Sequence, residues 1–164
     1  MPSVMIFAGG IIDSASWSFA NATISSEEAV VTGASWGNSY LVSKQTFFRN
    51  SEITTYTGRV GTVINPTVMW GIKNTNENYS YTQFPYAIYF NSNSWIYIYE
   101  DGANRGNKVQ YTEGQDYEVR VDVKPGSGAS YYFRQVGASN WSLIYNTTHS
   151  SISEFRFGAT VNGG

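Results

Sequence analysis

The residues of this 164-residue chain whose types and spacing could do chemistry are aromatics set beside amides, a few carboxylates and a single histidine. Aromatics dominate, with 13 Tyr, 9 Phe and 5 Trp. If Trp95-Ile-Tyr-Ile-Tyr99 is extended, Trp95, Tyr97 and Tyr99 share one face, while Ile96 and Ile98 share the other. A sugar ring presents apolar C–H faces rimmed by hydroxyls, so a site for it wants an exposed Trp or Tyr beside Asn, Gln, Asp or Arg. The polar segment from Asn74 to Gln83 holds Tyr79 and Tyr81 with no apolar pattern that would bury them, and Trp36 stands between Ser35 and Gly37 in a turn-rich stretch. Asn104 and Arg105, just past the aromatic strand, add an amide and a guanidinium. These eight residues form the candidate ligand-binding set. A strand covered on both sides would instead bury the ladder, and the sequence leaves both arrangements open.

The carboxylates point away from catalysis. Glycoside hydrolysis needs two of them flanking the scissile bond, about 5 to 9 Å apart. Glu118 and Asp122 share a face of one strand, but Arg120 alternates with them, which reads as paired surface charge. A hydrolase would require Glu52, Glu118 or Asp122 to converge in a cleft, so no catalytic residue is assigned and the chain reads as a non-enzyme. His149 lies in Asn146-Thr-Thr-His-Ser-Ser, with no carboxylate close in sequence to orient its ring, and reads as a surface histidine. For calcium, the best local group of oxygens is Glu100, Asp101 and Asn104, which reads first as a strand-ending turn and only second as a structural calcium site. No other cofactor is expected.

The elements that must position these residues are short. From Tyr117 to Lys124, Tyr117, Val119, Val121 and Val123 alternate with charged residues, which predicts a strand with one core face and one wet face. Lys124-Pro-Gly-Ser-Gly128 predicts a hairpin loop, Ala129 to Gln135 the return strand, and Trp141 to Asn146 a third strand after the turn at Gly137. Upstream, Thr67 to Lys73, Phe84 to Asn91 and Ser94 to Glu100 repeat the cadence, with Asn91-Ser-Asn-Ser94 as a turn. Further strands are expected at Val4 to Phe7, Trp17 to Ala20, Ala29 to Thr32, Tyr40 to Lys44, Ile53 to Val63 and Phe155 to Val161. Trp17, Trp70 and Trp141 look like core anchors. No window keeps helical periodicity, so at most one short helical turn is expected. The result is an all-β, antiparallel β-sandwich of two packed sheets with about eleven to thirteen strands, a jelly roll, in one domain over residues 1–164.

Composition excludes several classes. A net charge of -2 with only 10 Lys and Arg gives no footprint for a phosphate backbone, so nucleic acid is not an expected partner. The absence of cysteine removes disulfides, thiolate metal sites and cysteine nucleophiles. No apolar run has the roughly 18 residues that a spanning helix needs. Met1 to Gly10 lacks a basic n-region and is broken by Gly9 and Gly10, so no export signal is expected there. The triplets starting at Asn21, Asn78, Asn140 and Asn146 match the glycosylation sequon, as a chain rich in Asn, Ser and Thr will by chance.

The segment from Tyr117 to Tyr145, with its strand, hairpin and Trp141-Ser-Leu-Ile-Tyr145 strand, resembles concanavalin A-like (laminin-G-like) jelly-roll domains, and Phe84 to Phe90 followed by Trp95 to Tyr99 is similar to their middle strands. The resemblance covers roughly residues 60–162. It implies a lectin or carbohydrate-binding module, with a glycan or polysaccharide as partner and an extracellular or particle-surface location. The alternative it allows is a structural or adhesive subunit of a larger assembly, such as a virion, tail fibre or surface filament, which would self-associate. The carboxylate array of the β-glucanase branch is absent, and the calcium ligands of legume-type lectins find no match here.

Overall fold

The alternation that begins at Tyr117 forms one strand, β12 (Asp116–Val123), with Tyr117, Val119 and Val121 in the core and Glu118 and Arg120 on the opposite face. The computed structural model in which it is seen describes residues 3–6, 14–24, 28–31, 35–61, 67–150 and 153–162. β12 pairs antiparallel with β7 (Thr54–Gly61) and β13 (Ala129–Gln135), and β13 with β14 (Ser142–Thr147). β1 (Ser3–Ile6), β4 (Glu28–Val31) and β3 (Ala22–Ile24) complete a seven-stranded sheet in the order β14-β13-β12-β7-β1-β4-β3.

The second sheet has eight strands. Seven run in the order β11 (Ala103–Gln110), β10 (Trp95–Glu100), β9 (Tyr86–Asn91), β8 (Val68–Lys73), β15 (Glu154–Val161), β5 (Tyr40–Ser43) and β2 (Trp17–Ala20), and the two-residue β6 (Phe47–Phe48) pairs with β15. The single helical turn among the described residues is a 3-10 turn at Tyr81–Gln83. Among the described residues no helix is long and apolar enough to cross a membrane.

The core lies between the sheets. Val119, Val121 and Tyr131 from one layer meet Trp70, Ile72, Ile88, Ile96 and Ile98 from the other, all fully buried. Removing a side chain as large as Trp70 would cost about 3 to 5 kcal/mol. The layers touch closely at Gly58, where a Cβ would stand 2.4 Å from the Trp70 indole nitrogen. Only a glycine at this point of β7 lets the indole come this close to the facing strand.

The expected architecture is the observed one, with fifteen strands among the described residues. The unanticipated strands are β3, β6 and β11. The first two have three and two residues, too few to show an alternation, and β11 is a polar edge strand without one. Phe7, Thr32, Thr62 and Val63, expected at strand ends, lie outside the described residues. Trp17 and Trp70 do join the core. Trp141 does not: it is half-buried just before β14, with the Arg134 and Arg120 guanidiniums 4.4 and 5.7 Å from its ring. The cations hold it on the outer face of the seven-stranded sheet. On that face Glu118 pairs with Arg134 and Asp122 with Arg120, each at 2.5 Å, as the alternation implies.

Candidate functional site

Strand alternation in β10 settles the orientation of the aromatic ladder. Ile96 and Ile98 are fully buried in the core, so Trp95, Tyr97 and Tyr99 emerge on the outer face of the eight-stranded sheet, half-buried. Two rows of side chains cross the strands there. One is bulky, running Tyr97, Tyr89, Met69, Thr160, Tyr40; the next runs Tyr99, Ala87, Gly71, Gly158, Val42 and is small at its centre. The small row makes a depression, with Tyr99 at one end.

Three loops wall that end into a pocket of about 410 Å³, lined by Trp36, Met69, Tyr81, Tyr89, Tyr99, Gly102 and Asn104. The rings meet mostly edge to face: Trp36 on Tyr89 at 5.6 Å, Tyr89 on Tyr99 at 5.5 Å and Tyr81 on Tyr99 at 6.1 Å, with Trp36 tilted over Tyr81 at 5.8 Å. Such contacts fix ring planes and leave π-faces for a ligand. Burial pushes the Tyr89 phenol up to about 12, and it also raises Tyr99 against the opposing pull of a hydrogen bond from Asn104. Both hydroxyls are neutral at ordinary pH and can donate or accept. No charged side chain is among the described residues that line the pocket.

Each wall is anchored on residues far away in sequence. The Trp36 loop is fixed by buried Thr160, whose hydroxyl accepts from the Gly37 N–H at 3.2 Å and donates to the Ser39 carbonyl at 3.1 Å. The loop carrying Tyr81 is closed by Gln83, whose side-chain oxygen accepts from Asn74 at 2.8 Å and from Asn76 at 2.7 Å. The turn bearing Gly102 and Asn104 leaves β10 at Glu100. That carboxylate is buried between the sheets and accepts from Arg105 Nε and Tyr131 Oη, both at 2.9 Å, and from Thr147 Oγ1 at 3.3 Å. Next to it, Asp101 Oδ2 lies 2.6 Å from His149 Nε2.

Of the sequence candidates, Trp36, Tyr81, Tyr99 and Asn104 come together in the pocket, and Tyr97 adjoins it through Tyr89 at 6.0 Å. Trp95 shares the face but sits at the far end of β10, paired with Gln110. Tyr79 belongs to a neighbouring cluster, stacked on Tyr40 at 3.6 Å with Lys73 Nζ 4.9 Å over its ring. Arg105 is turned from the pocket to Glu100, because adjacent strand residues point to opposite faces. The reading of His149 as lacking a carboxylate is also corrected, since the fold brings Asp101 to it.

Met69, Tyr89 and Gly102 were not among the candidates. Tyr89 had a readable signal, because a turn at Asn91–Ser94 pairs Asn91 with Trp95 and therefore Tyr89 with Tyr97. The calcium candidates Glu100, Asp101 and Asn104 each have protein partners. Glu100 points into the sandwich, Asp101 meets His149, and Asn104 Oδ1 accepts the Gly106 N–H at 2.6 Å. Among the described residues no three of His, Cys, Asp and Glu gather around one point.

No known family model matches the sequence, and no curated protein matches it. Solved structures do match in shape. The exoplasmic/lumenal domain of VIP36 in its Ca2+/Man3GlcNAc-bound form is 11% identical and matches 98% of this chain and 81% of its own, at a TM-score of 0.69. The metal-free form of that domain is 11% identical over 98% of this chain and 84% of its own, at a TM-score of 0.66. Stonustoxin is 9% identical over 91% of this chain and 26% of its own, at a TM-score of 0.60. The chain therefore shares the two-sheet β-sandwich fold of the VIP36 domain.

Proposed function

We propose that this chain is a non-catalytic glycan-binding domain of the lectin type, and that its site is the aromatic pocket around Tyr99. The observation that carries the reading is the convergence of Trp36, Tyr81, Tyr89 and Tyr99 with the Asn104 amide around about 410 Å³ of uncharged space. Rigid rings meet the C–H face of a sugar, and phenol and amide groups meet its hydroxyls. The Man3GlcNAc-bound state of the VIP36 domain, which has the same fold, supports it as analogy. An extracellular or particle-surface location would suit such a domain.

Glycan-array and affinity-gel measurements test the reading. Binding to at least one neutral glycan is expected, with Trp36→Ala and Tyr99→Ala each weakening it about tenfold or more while far-UV and thermal signatures stay native. Failure to bind any glycan on the array overturns it.

A second reading, a structural or adhesive subunit, has its own observation. On and beside the edge strand β14 of the seven-stranded sheet, Leu143 is 52% exposed and Val136 37% exposed, near the half-buried Trp141. Apolar edge residues of this kind suit contacts between copies. Light scattering decides it: oligomers that dissociate on Leu143→Asp support assembly, and monomers at every concentration refute it.

A further inference from the structure

Beyond the Tyr99 pocket, a second hollow of about 560 Å³ is lined by Ser94, Gln110, Tyr111, Thr112 and Glu113. It lies at the other end of β10. Gln110 is the register partner of Trp95, which joins the hollow to the outer face of the sheet. Between the hollows stand Tyr97 and Trp95, two residues apart, so that Tyr99 to Trp95 spans about 13 Å along the strand. That is more than one sugar ring covers. Tyr97 is pre-set for the role, since its hydroxyl takes a 2.7 Å hydrogen bond from Asn93 Nδ2 and its ring leans on Tyr89.

The flanking strand β11 is irregular here. Its register against β10 shifts between Ile96 and Tyr97 and again between Tyr97 and Tyr99. Bulges re-aim side chains. The two cations of β11 leave this face: Arg105 turns to Glu100, and Lys108 Nζ lies 4.4 Å over the Tyr145 ring on the neighbouring sheet. Asn104 stays with Tyr99. The strip from Tyr99 to Trp95 thus has rings and amides but no positive charge, and the one ionic group among the described residues lining either hollow is the Glu113 carboxylate, which accepts from Ser94 Oγ at 3.3 Å. An anionic chain would meet a like charge and find no cation. A neutral chain offers hydroxyl donors to Glu113 and Gln110.

We infer that the site takes a linear, neutral oligosaccharide of at least three residues laid along β10, one ring in the Tyr99 pocket, one on Tyr97 and one on Trp95 with its hydroxyls toward Gln110 and Glu113. This rests on the glycan-binding reading and extends it from a pocket to a track.

Titration calorimetry with mono- to hexasaccharide series of glucose, mannose and N-acetylglucosamine, with oligogalacturonates as the anionic control, tests it. Affinity for the preferred series should rise at least tenfold from mono- to tetrasaccharide, with the oligogalacturonates not binding. Trp95→Ala and, separately, Gln110→Ala should remove most of that gain, so that their losses grow with chain length. Affinity independent of length, or a Trp95→Ala loss equal at every length, overturns the track while the pocket reading stands. Oligogalacturonate binding at least as tight as the neutral series overturns its neutral character. No binding at any length overturns both.

Discussion

Tyr131 Oη donates a 2.9 Å hydrogen bond to Glu100 Oε1 in the buried interior, joining β13 of one sheet to β10 of the other immediately before the turn that bears Gly102 and Asn104. Burial first, and then the neighbouring Glu100 carboxylate, drive the Tyr131 phenol far above its ordinary range, so it remains a donor. The pocket turn is therefore held by a bond that crosses the core.

Tyr131→Phe leaves that buried carboxylate short of one donor. It should cost about 2 kcal/mol. Glu100→Ala, which strips the partner from Arg105, Tyr131 and Thr147 together, should cost about 3 to 5 kcal/mol. Denaturant midpoints measure both, and a Tyr131→Phe protein as stable as the parent would refute the role given to this bond.

Gly71 and Gly158 face each other in register on β8 and β15. A Cβ on Gly71 would stand 2.1 Å from the Tyr86 carbonyl oxygen, and one on Gly158 2.2 Å from that of Leu41. Backbone cannot yield as a flexible side-chain tip can, so alanine at either site should destabilise by about 1 to 3 kcal/mol. Because the two are neighbours, the double variant should deviate from additivity. Full additivity in denaturant melts would mean that the two strains are independent.

Thr160→Val removes the acceptor of the Gly37 N–H and the donor to the Ser39 carbonyl. A loss of about 1 to 3 kcal/mol is expected from the unpaired groups. The more specific signature is functional: the Trp36 loop loosens, and glycan affinity should fall by more than in a control of equal instability such as Ile88→Val. Equal losses in the two proteins would refute an anchoring role.

Lys73 is fully buried on the outer side of β8, where its ammonium donates to the carbonyls of Asn74 and Asn76 beneath the loop that carries Tyr79 and Tyr81. Burial, assisted by Arg156 and opposed by Glu77, lowers its pKa to about 8. The unfolded chain keeps the proton to about 10.4. Between these values the unfolded state binds more protons, so this group's contribution to stability rises with pH through that window. Lys73→Met should abolish the rise, changing the stability difference from the parent by about 3 kcal/mol between pH 7 and 10. Parallel denaturation curves across pH would show that the ammonium is not destabilised by burial.

Chelation tests the metal question. The pocket turn is held by protein hydrogen bonds at Glu100, Asp101 and Asn104, so glycan affinity should be unchanged in excess EDTA. A loss restored by added calcium would refute a turn held by protein hydrogen bonds alone.

Much of the fold was legible because strand alternation is local. Tyr117, Val119 and Val121 between Glu118, Arg120 and Asp122 already separate a core face from an outer face, and the Lys124 to Gly128 turn already returns β12 into β13. β11 was illegible for the opposite reason: an edge strand is selected for polarity, so its sequence resembles a loop. Trp141 misled because an indole can be covered by arginines as well as by a core, and sequence distance does not reveal which.

By itself, then, the sequence determined that short strands would alternate and which side of β12 would be dry, while it left open which side the aromatic ladder of β10 would take. Only the tertiary structure decided that, and which side chains meet. Trp36 reaches Tyr81 and Tyr89, His149 reaches Asp101 and Arg105 turns to Glu100 because sheet order brings distant strands side by side. Alternation depends on a residue's immediate neighbours, whereas a pocket depends on which strands become neighbours, and that is fixed by packing two whole layers against each other.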